Sequence, residues 1–360
     1  MERETERLMA WYGKHKRRLP WRGEKDPYRV WVSEVMLQQT RVETVLGYYP
    51  RFLEAFPDVK RLAEAEEADV LKLWEGLGYY SRARSLREGA RQVMAEYGGR
   101  LPGSAEELER VRGIGPYTAG AIASIAFGEA VPAVDGNVIR VISRLRNIRE
   151  SAALPETKRR IAAEAKALLP EDCPGDFNQA LMDLGSGVCT PGTLDCGKCP
   201  LKGLCGAERA GDPESLPNLP GRKPPREIRW DVLLLCSGDR VWMRRRTERM
   251  LQGLWVFPMA EGWREAECLS SEARRLTGLQ TGPAAPAGEA RHVFTHQVWL
   301  MRVWLLPVTG GSPLPPWQPL TVADMQTLAI PTAMKIPAGI ARNSLRTVEI
   351  SVLNQPEGNP

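Results

Sequence analysis

Four cysteines, Cys189, Cys196, Cys199 and Cys205, follow one another as C-x6-C-x2-C-x5-C. Thiolates at that spacing can wrap one centre, and Pro191, Gly192, Gly197, Pro200 and Gly203 among them let the backbone bend around it. The other three, Cys173, Cys236 and Cys268, stand alone, so the total of seven is odd and does not suit a secreted disulfide framework. With three histidines in the whole chain, His15, His292 and His296, a metal centre must rest on thiolates or carboxylates. Zinc and an iron–sulfur cluster are the two centres such a run can hold. Zinc ribbons pair two C-x2-C knuckles across a longer gap; here a single knuckle has longer arms on either side, which favours the cluster.

The chain of 360 residues, 43% hydrophobic, is long enough for two cores. Up to about Ala207 its apolar residues recur at helical spacing, as in Val35, Val42, Val45 and Tyr49 or Phe177, Leu181 and Leu184. Prolines 213, 217, 220, 224 and 225 then exclude a helix and predict an extended linker over 207–229. Beyond it, Val232 to Cys236, the turn Ser237-Gly238-Asp239 and Val241 to Met243 predict a hairpin, and Arg264 to Leu276 a helix. The stretch from Gly310 to Pro319 reads as a loop. The expected architecture is therefore a mainly α domain over 1–206 carrying the cysteine loop, the linker, and an α+β domain over 230–350. A net charge of +5 permits nucleic acid without demanding it. The N-terminal twenty residues lack a signal-like apolar stretch, and no later run reaches the roughly 20 residues that span a bilayer. A cytoplasmic protein without a membrane partner is expected.

Two segments carry candidate chemistry. Leu108 to Ser124 reads as an amphipathic helix, the hairpin Gly113-Ile114-Gly115, and a second helix from Pro116 whose orphan N–H groups form an anion site suited to phosphate. Twenty residues past Gly115, Asp135 sits among Val131, Val134 and Val138, as a helix N-cap, a functional acid, or both. Upstream, Glu34 lies in a helix opened by Asp26-Pro27, close in sequence to Val30, Trp31, Val35 and Met36, where desolvation would raise its pKa and fit it to donate a proton. Gln38 follows one turn later on the same face.

These motifs occur in order: LPWR, SEVMLQQTRVETV, LWEGLGYYSRARSL, GIGPYTAG, VDGNVIRV, FNQALMDLG and the cysteine loop. From about Leu8 to Cys205 the chain resembles the MutY-type adenine DNA glycosylases of the endonuclease III superfamily. The resemblance implies a helix-hairpin-helix glycosylase fold, a 4Fe-4S cluster on Cys189, Cys196, Cys199 and Cys205, and a monomer that removes adenine opposite 8-oxoguanine or G from double-stranded DNA in base excision repair. It makes Glu34 the acid that protonates adenine and Asp135 the carboxylate that stabilises the sugar cation, with Tyr117 and Asn137 supporting the intermediate. Arg17 and Gln179 would lie near the adenine, Gly113 and Gly115 at a phosphate, Tyr79 in the gap left by the flipped base, and Gln38, Gln39, Thr40 and Leu77 against DNA. Lys198 and Lys202 would meet phosphates. Lyase relatives carry a lysine immediately before the Thr of the hairpin helix; Tyr117 stands there, and tyrosine cannot form a Schiff base.

The family's C-terminal domain resembles a Nudix hydrolase. The magnesium-holding glutamates of a working Nudix helix would fall at Arg275 and Leu276, so phosphohydrolase activity is not expected. Phe294-Thr295-His296 matches the loop that reads the opposite base in the family, with Thr in place of Ser. Two other readings are a glycosylase for T opposite G, opposed by LQQT and the Nudix-like domain, and a non-catalytic iron–sulfur DNA-binding protein, which would need neither Glu34 nor Asp135.

Overall fold

The computed structural model describes residues 2–221 and 224–353. Arg222 and Lys223, inside the expected linker, lie outside the described residues. By contacts the chain divides into two compact units, Met1–Ala65 with Arg84–Arg222, and Glu66–Ala83 with Lys223–Pro360.

The first unit is helical. Its elements are α1 (Glu2–His15), α2 (Pro27–Leu37), α3 (Val42–Ala55) and α4 (Val59–Glu64); after α5 (Glu67–Leu73) of the other unit come α6 (Ser81–Glu96), whose first three residues group with α5, then α7 (Ala105–Leu108), α8 (Pro116–Ala126), α9 (Gly136–Leu145), α10 (Pro155–Leu168), α11 (Pro174–Gly187) and α12 (Gly206–Arg209). Boundaries follow local chemistry. Asp26 caps α2 by accepting from the N–H groups of Tyr28 (2.9 Å) and Arg29 (3.1 Å), with Pro27 at the first helical position, where its missing N–H costs nothing. α9 carries Val138, Val141, Ile142 and Leu145 into a core shared with Leu8 of α1 and Phe177, Leu181 and Leu184 of α11.

The helix expected ahead of the Gly113 hairpin is shorter than its sequence suggests. α7 ends at Leu108, and the chain tightens into i→i+3 bonds from Arg110 to Glu107, Val111 to Leu108 and Ile114 to Val111. A tertiary partner takes over there: the N–H of Arg112 donates to Gln92 Oε1 of α6 at 2.8 Å.

In the second unit β1 (Arg226–Ser237) and β2 (Arg240–Arg245) form the expected hairpin. Then follow β3 (Trp255–Val256), β4 (Met259–Glu261), α13 (Ala266–Thr277), β5 (Leu279–Thr281), β6 (Ala285–Val293), β7 (Gln297–Gly311), β8 (Gln318–Thr321), α14 (Val322–Thr327) and α15 (Lys335–Leu353). The sheet runs β3-β2-β1-β7-β5, with β4 on β1, β6 on β7 and β8 on β2. β1 and β7 pair in parallel from Arg226↔Gln297 to Cys236↔Pro307. The expected loop from Gly310 to Pro319 is narrower than that, since β7 runs to Gly311 and β8 starts at Gln318, where Gln318 to Thr321 pair with β2.

The expected boundaries at 206 and 230 differ from this division in two ways. β1 already begins at Arg226, inside the linker. Residues 66–83 belong with the C-terminal half because their partners are there: Glu67 Oε1 accepts from Arg245 Nη2 (2.7 Å), and Lys72 Nζ donates to the carbonyl of Leu328 (2.9 Å).

Candidate active site

A cavity of about 370 Å³ opens in the helical unit, lined in part by Glu34, Thr40, Tyr117, Asp135, Asn137 and Gln179. Glu34 is 6% exposed, in a turn of α2 whose neighbours Val30, Trp31, Val35 and Met36 are buried with it. The Tyr117 hydroxyl, one residue into α8 past Pro116, donates to its Oε2. Burial raises the Glu34 pKa above the ordinary carboxyl value, the Tyr117 bond and Arg22 pull it partly back, and Asp135 adds to the rise. Burial also lifts the Tyr117 phenol well above its usual range, helped by the carboxylates of Glu34 and Asp135.

Asp135 caps α9 and faces the same cavity. Its Oδ1 accepts from the Val138 N–H at 2.8 Å and its Oδ2 from Asn137 Nδ2 at 2.7 Å. Burial raises its pKa, and these donors oppose the rise. The two carboxyls thus differ in their surroundings: Asp135 has two N–H donors and the helix N-terminus, whereas Glu34 has one hydroxyl and apolar walls.

Close packing fixes these positions. A Cβ on Gly185 of α11 would fall 2.6 Å from Asn137 Cβ, so only glycine lets α11 approach α9 there. Asn178, 1% exposed, donates to Ser124 Oγ and to the Val131 carbonyl, both at 2.9 Å, and accepts from the Ala133 N–H at 3.0 Å, pinning the strand-like approach to Asp135.

Several groups have no signal in the local sequence. Asp183 Oδ1 accepts from Arg22 Nη2 (2.7 Å) and from Arg17 Nε (3.0 Å), while Arg22 Nη1 also donates to Gln179 Oε1. Arg17 is therefore ion-paired at the cavity wall and not free within it. Arg140 donates to Asn137 Oδ1 (2.7 Å) and to the Gly185 and Cys189 carbonyls. Apart from Asn137, one helical turn from Arg140, these partners lie tens of residues away, beyond the reach of any periodicity.

Other expected site residues lie off the cavity wall. Gln38 is the C-cap of α2, not a member of its face, and its Nε2 donates to Thr118 Oγ1 at 3.1 Å. Gln39 is exposed with φ +56°. Gly113 has φ +86°, and a Cβ there would meet Ser85 Cβ at 2.8 Å, whereas one on Gly115, the N-cap of α8, would meet nothing within 4 Å. Leu77, Tyr79 and the 294–296 segment belong to the second unit. There Phe294 and Gln297 close the β6–β7 turn by a 2.7 Å backbone bond, and Thr295 Oγ1 lies 2.8 Å from Tyr79 Oη. His296 gives its carbonyl to the Arg226 N–H.

The four cysteines of the loop are free thiols, all partly buried. Cys189, Cys199 and Cys205 border the core of α9 and α11. Burial, then the neighbouring sulfurs, push the Cys199 thiol up to about 12. Buried Arg144 donates to Cys189 Sγ at 3.2 Å. Among the described residues no three Cys, His, Asp or Glu side chains converge as for a single metal ion. Four thiols in one loop, one of them bonded to a buried guanidinium, fit an anionic iron–sulfur cluster in donor type. Exposed Lys198 is paired with Asp195 at 2.9 Å. In the second unit, Arg275 stands on α13 in an ion pair with Glu272 (2.7 Å).

Comparison with known proteins gives one match on each side of the linker. Residues 32–171 match the HhH-GPD superfamily of base excision DNA repair proteins, and residues 231–336 match the NUDIX domain. The human adenine DNA glycosylase is 37% identical, over 91% of this chain and 72% of its own length. The chain belongs to the adenine DNA glycosylase family. The rat family member is 36% identical over 91% of this chain and 76% of its own. Among solved structures, a thermostable thymine-DNA glycosylase aligns with a TM-score of 0.53 and 28% identity, over 58% of this chain and 97% of that one. Endonuclease III in a trapped covalent complex with DNA aligns at 0.50 and 20% identity over 57% of this chain and 94% of its own, a likeness of fold. The family's helical glycosylase fold and Nudix-like domain correspond to the helical unit and to the sheet-bearing part of the second. No described helix is long and apolar enough to cross a membrane.

Proposed function

We propose that this chain hydrolyses the N-glycosidic bond of adenine placed opposite 8-oxoguanine or G in duplex DNA, releasing the base without lysine-dependent strand cleavage. The observation that carries the reading is the pair Glu34 and Asp135 lining one cavity, Glu34 held by a single hydroxyl and Asp135 by two N–H donors.

Adenine must leave the stack to reach a buried acid, so the cavity receives a flipped base. Tyr117 occupies Glu34 Oε2, which leaves Oε1 to carry the proton, and burial favours the protonated form by raising the pKa above the ordinary carboxyl value. Protonation of the purine, at N7 in this reading, converts a poor leaving group into a good one. The sugar then gains positive charge. Asp135, held by the Val138 and Asn137 donors, supplies the opposing charge or bonds to the sugar before water adds. Arg22 and Gln179, which line the cavity, offer polar groups to the base edge, and Asp183 holds Arg22 in place from behind the wall. A phenol at position 117, already engaged by Glu34, forms no imine.

Cys189, Cys196, Cys199 and Cys205 would hold a 4Fe-4S cluster, which when bound supplies a covalent tie across the loop between α11 and α12. The N-terminus of α8 at Gly115 would take a DNA phosphate. Thr295 and its neighbours would read the opposite base, and the protein would act as a monomer inside the cell.

The test is incubation with duplexes bearing A opposite 8-oxoguanine, A opposite G, and T opposite G, followed by alkali. Alkali-labile sites on the adenine strand support the reading; cleavage confined to the T strand, or none, defeats it. Iron assay should give about four irons per chain. Stoichiometric zinc without iron from an anaerobic preparation would reject the cluster.

A further inference from the structure

Between α5 and α6 the loop from Glu75 to Tyr80 takes an unusual path. Gly76, Gly78 and Tyr79 have φ of +105°, +73° and +47°. Glycine adopts such values freely; tyrosine does not, and needs surroundings that hold it there. Its ring is nevertheless 44% exposed.

Arg82, in the first turn of α6, meets the loop from beneath. Its Nη2 reaches the carbonyls of Leu77 (3.4 Å) and Gly78 (3.3 Å). Its guanidinium carbon lies 5.4 Å from the Tyr79 ring centroid and 5.5 Å from that of Trp74. Trp74 Nε1 donates to the same Gly78 carbonyl at 3.1 Å. At the far end, the Tyr79 hydroxyl is held by Thr295.

We infer that Arg82 is a positioning residue for base extrusion: through the Leu77 and Gly78 carbonyls it holds Gly78-Tyr79 in the left-handed path that presents the Tyr79 ring for insertion into duplex DNA. The inference rests on the glycosylase reading above. Burial lowers the Arg82 pKa to about 10, which leaves the group charged at neutral pH. The task suits arginine's planar fork, which can donate in its plane and stack on rings by its faces; lysine offers a single ammonium point and cannot do both.

The experiment is a double-mutant cycle in the full-length protein with Arg82→Lys, Tyr79→Ala and the pair, followed by single-turnover adenine release and by affinity for a duplex with A opposite 8-oxoguanine. Arg82→Lys alone should slow release about tenfold and weaken binding, and in the Tyr79→Ala background should cost less than about twofold, because the residue through which it acts is gone. Equal losses in both backgrounds would overturn the assignment. Thermal unfolding of each variant separates positioning from collapse. If Arg82→Lys is unfolded, Arg82→Gln enters the same cycle, and unfolding of both makes Arg82 a stability residue and ends the proposal. A wild-type protein that releases no adenine defeats the glycosylase reading itself, and this inference with it; an active wild type with additive mutants defeats the inference alone.

Discussion

Gly185→Ala tests whether the approach of α11 to α9 sets the position of Asp135. The added Cβ would stand 2.6 Å from Asn137 Cβ and 3.1 Å from Asn137 Cα. Relief to an ordinary contact near 3.4 Å requires α9 to retreat by about 0.8 Å at the turn that holds Asp135 and Asn137. Overpacking of this kind costs about 1–3 kcal/mol, or about 2–4 °C of Tm for each kcal/mol in a unit of this size. A displacement approaching 1 Å at a catalytic group costs on the order of 10²-fold in rate. The control lies two residues on: a Cβ at Gly187 meets nothing within 4 Å, so Gly187→Ala should leave rate and Tm near wild type. Both variants would be followed by single-turnover adenine release under enzyme excess and by thermal unfolding. If Gly185→Ala releases adenine at the wild-type rate, the contact does not govern Asp135 and the reasoning fails.

Glu34→Gln should abolish measurable release yet raise Tm, by more at pH 7 than at pH 4.5. The sign follows from the raised pKa: folding favours the protonated acid, so its contribution is present below the unfolded pKa and is lost as pH rises through the folded one, a loss that glutamine escapes. A Tm difference that is flat with pH would contradict it. Asp135→Asn keeps an N-cap, so DNA affinity and Tm should stay near wild type while release falls by at least about 10²-fold; a smaller loss would leave Asp135 as a cap only. Thr295→Val removes the hydroxyl but keeps the volume, and should shift the rate ratio between A opposite 8-oxoguanine and A opposite G by about fivefold, the worth of one hydrogen bond, with an unchanged ratio excluding it from reading.

What the sequence reveals is chemistry with a local cause. Asp26-Pro27 opens α2, Asp135 opens α9, and the apolar residues around Glu34 account for its burial. Turn residues likewise specify the β1–β2 hairpin, whereas nothing within β1 indicates that it also pairs in parallel with β7, a segment some seventy residues away. The failed helix before Gly113 has the same origin, for Gln92 competes for the Arg112 N–H from α6. Arg22, Asp183 and Arg140 fall within quoted motifs but with no role assigned, because a charged side chain's purpose is decided by partners that meet it only after folding.

The grouping of residues 66–83 with the C-terminal half has a practical consequence for anyone editing this gene. A fragment ending near Pro225 would lose more than a reading loop, because Glu67, Lys72 and Tyr79 would each be stripped of a partner and Leu71 of the Gly253 turn against which it packs. Any loss of selectivity in such a fragment would mix two causes. The same holds for chimeras: a splice at residue 223 alone would join the Tyr79 of one parent to the Thr295 of another, two residues that touch in this chain. Exchange of the second unit between relatives therefore calls for two inserts, 66–83 and 223 onward, carried together as one cassette.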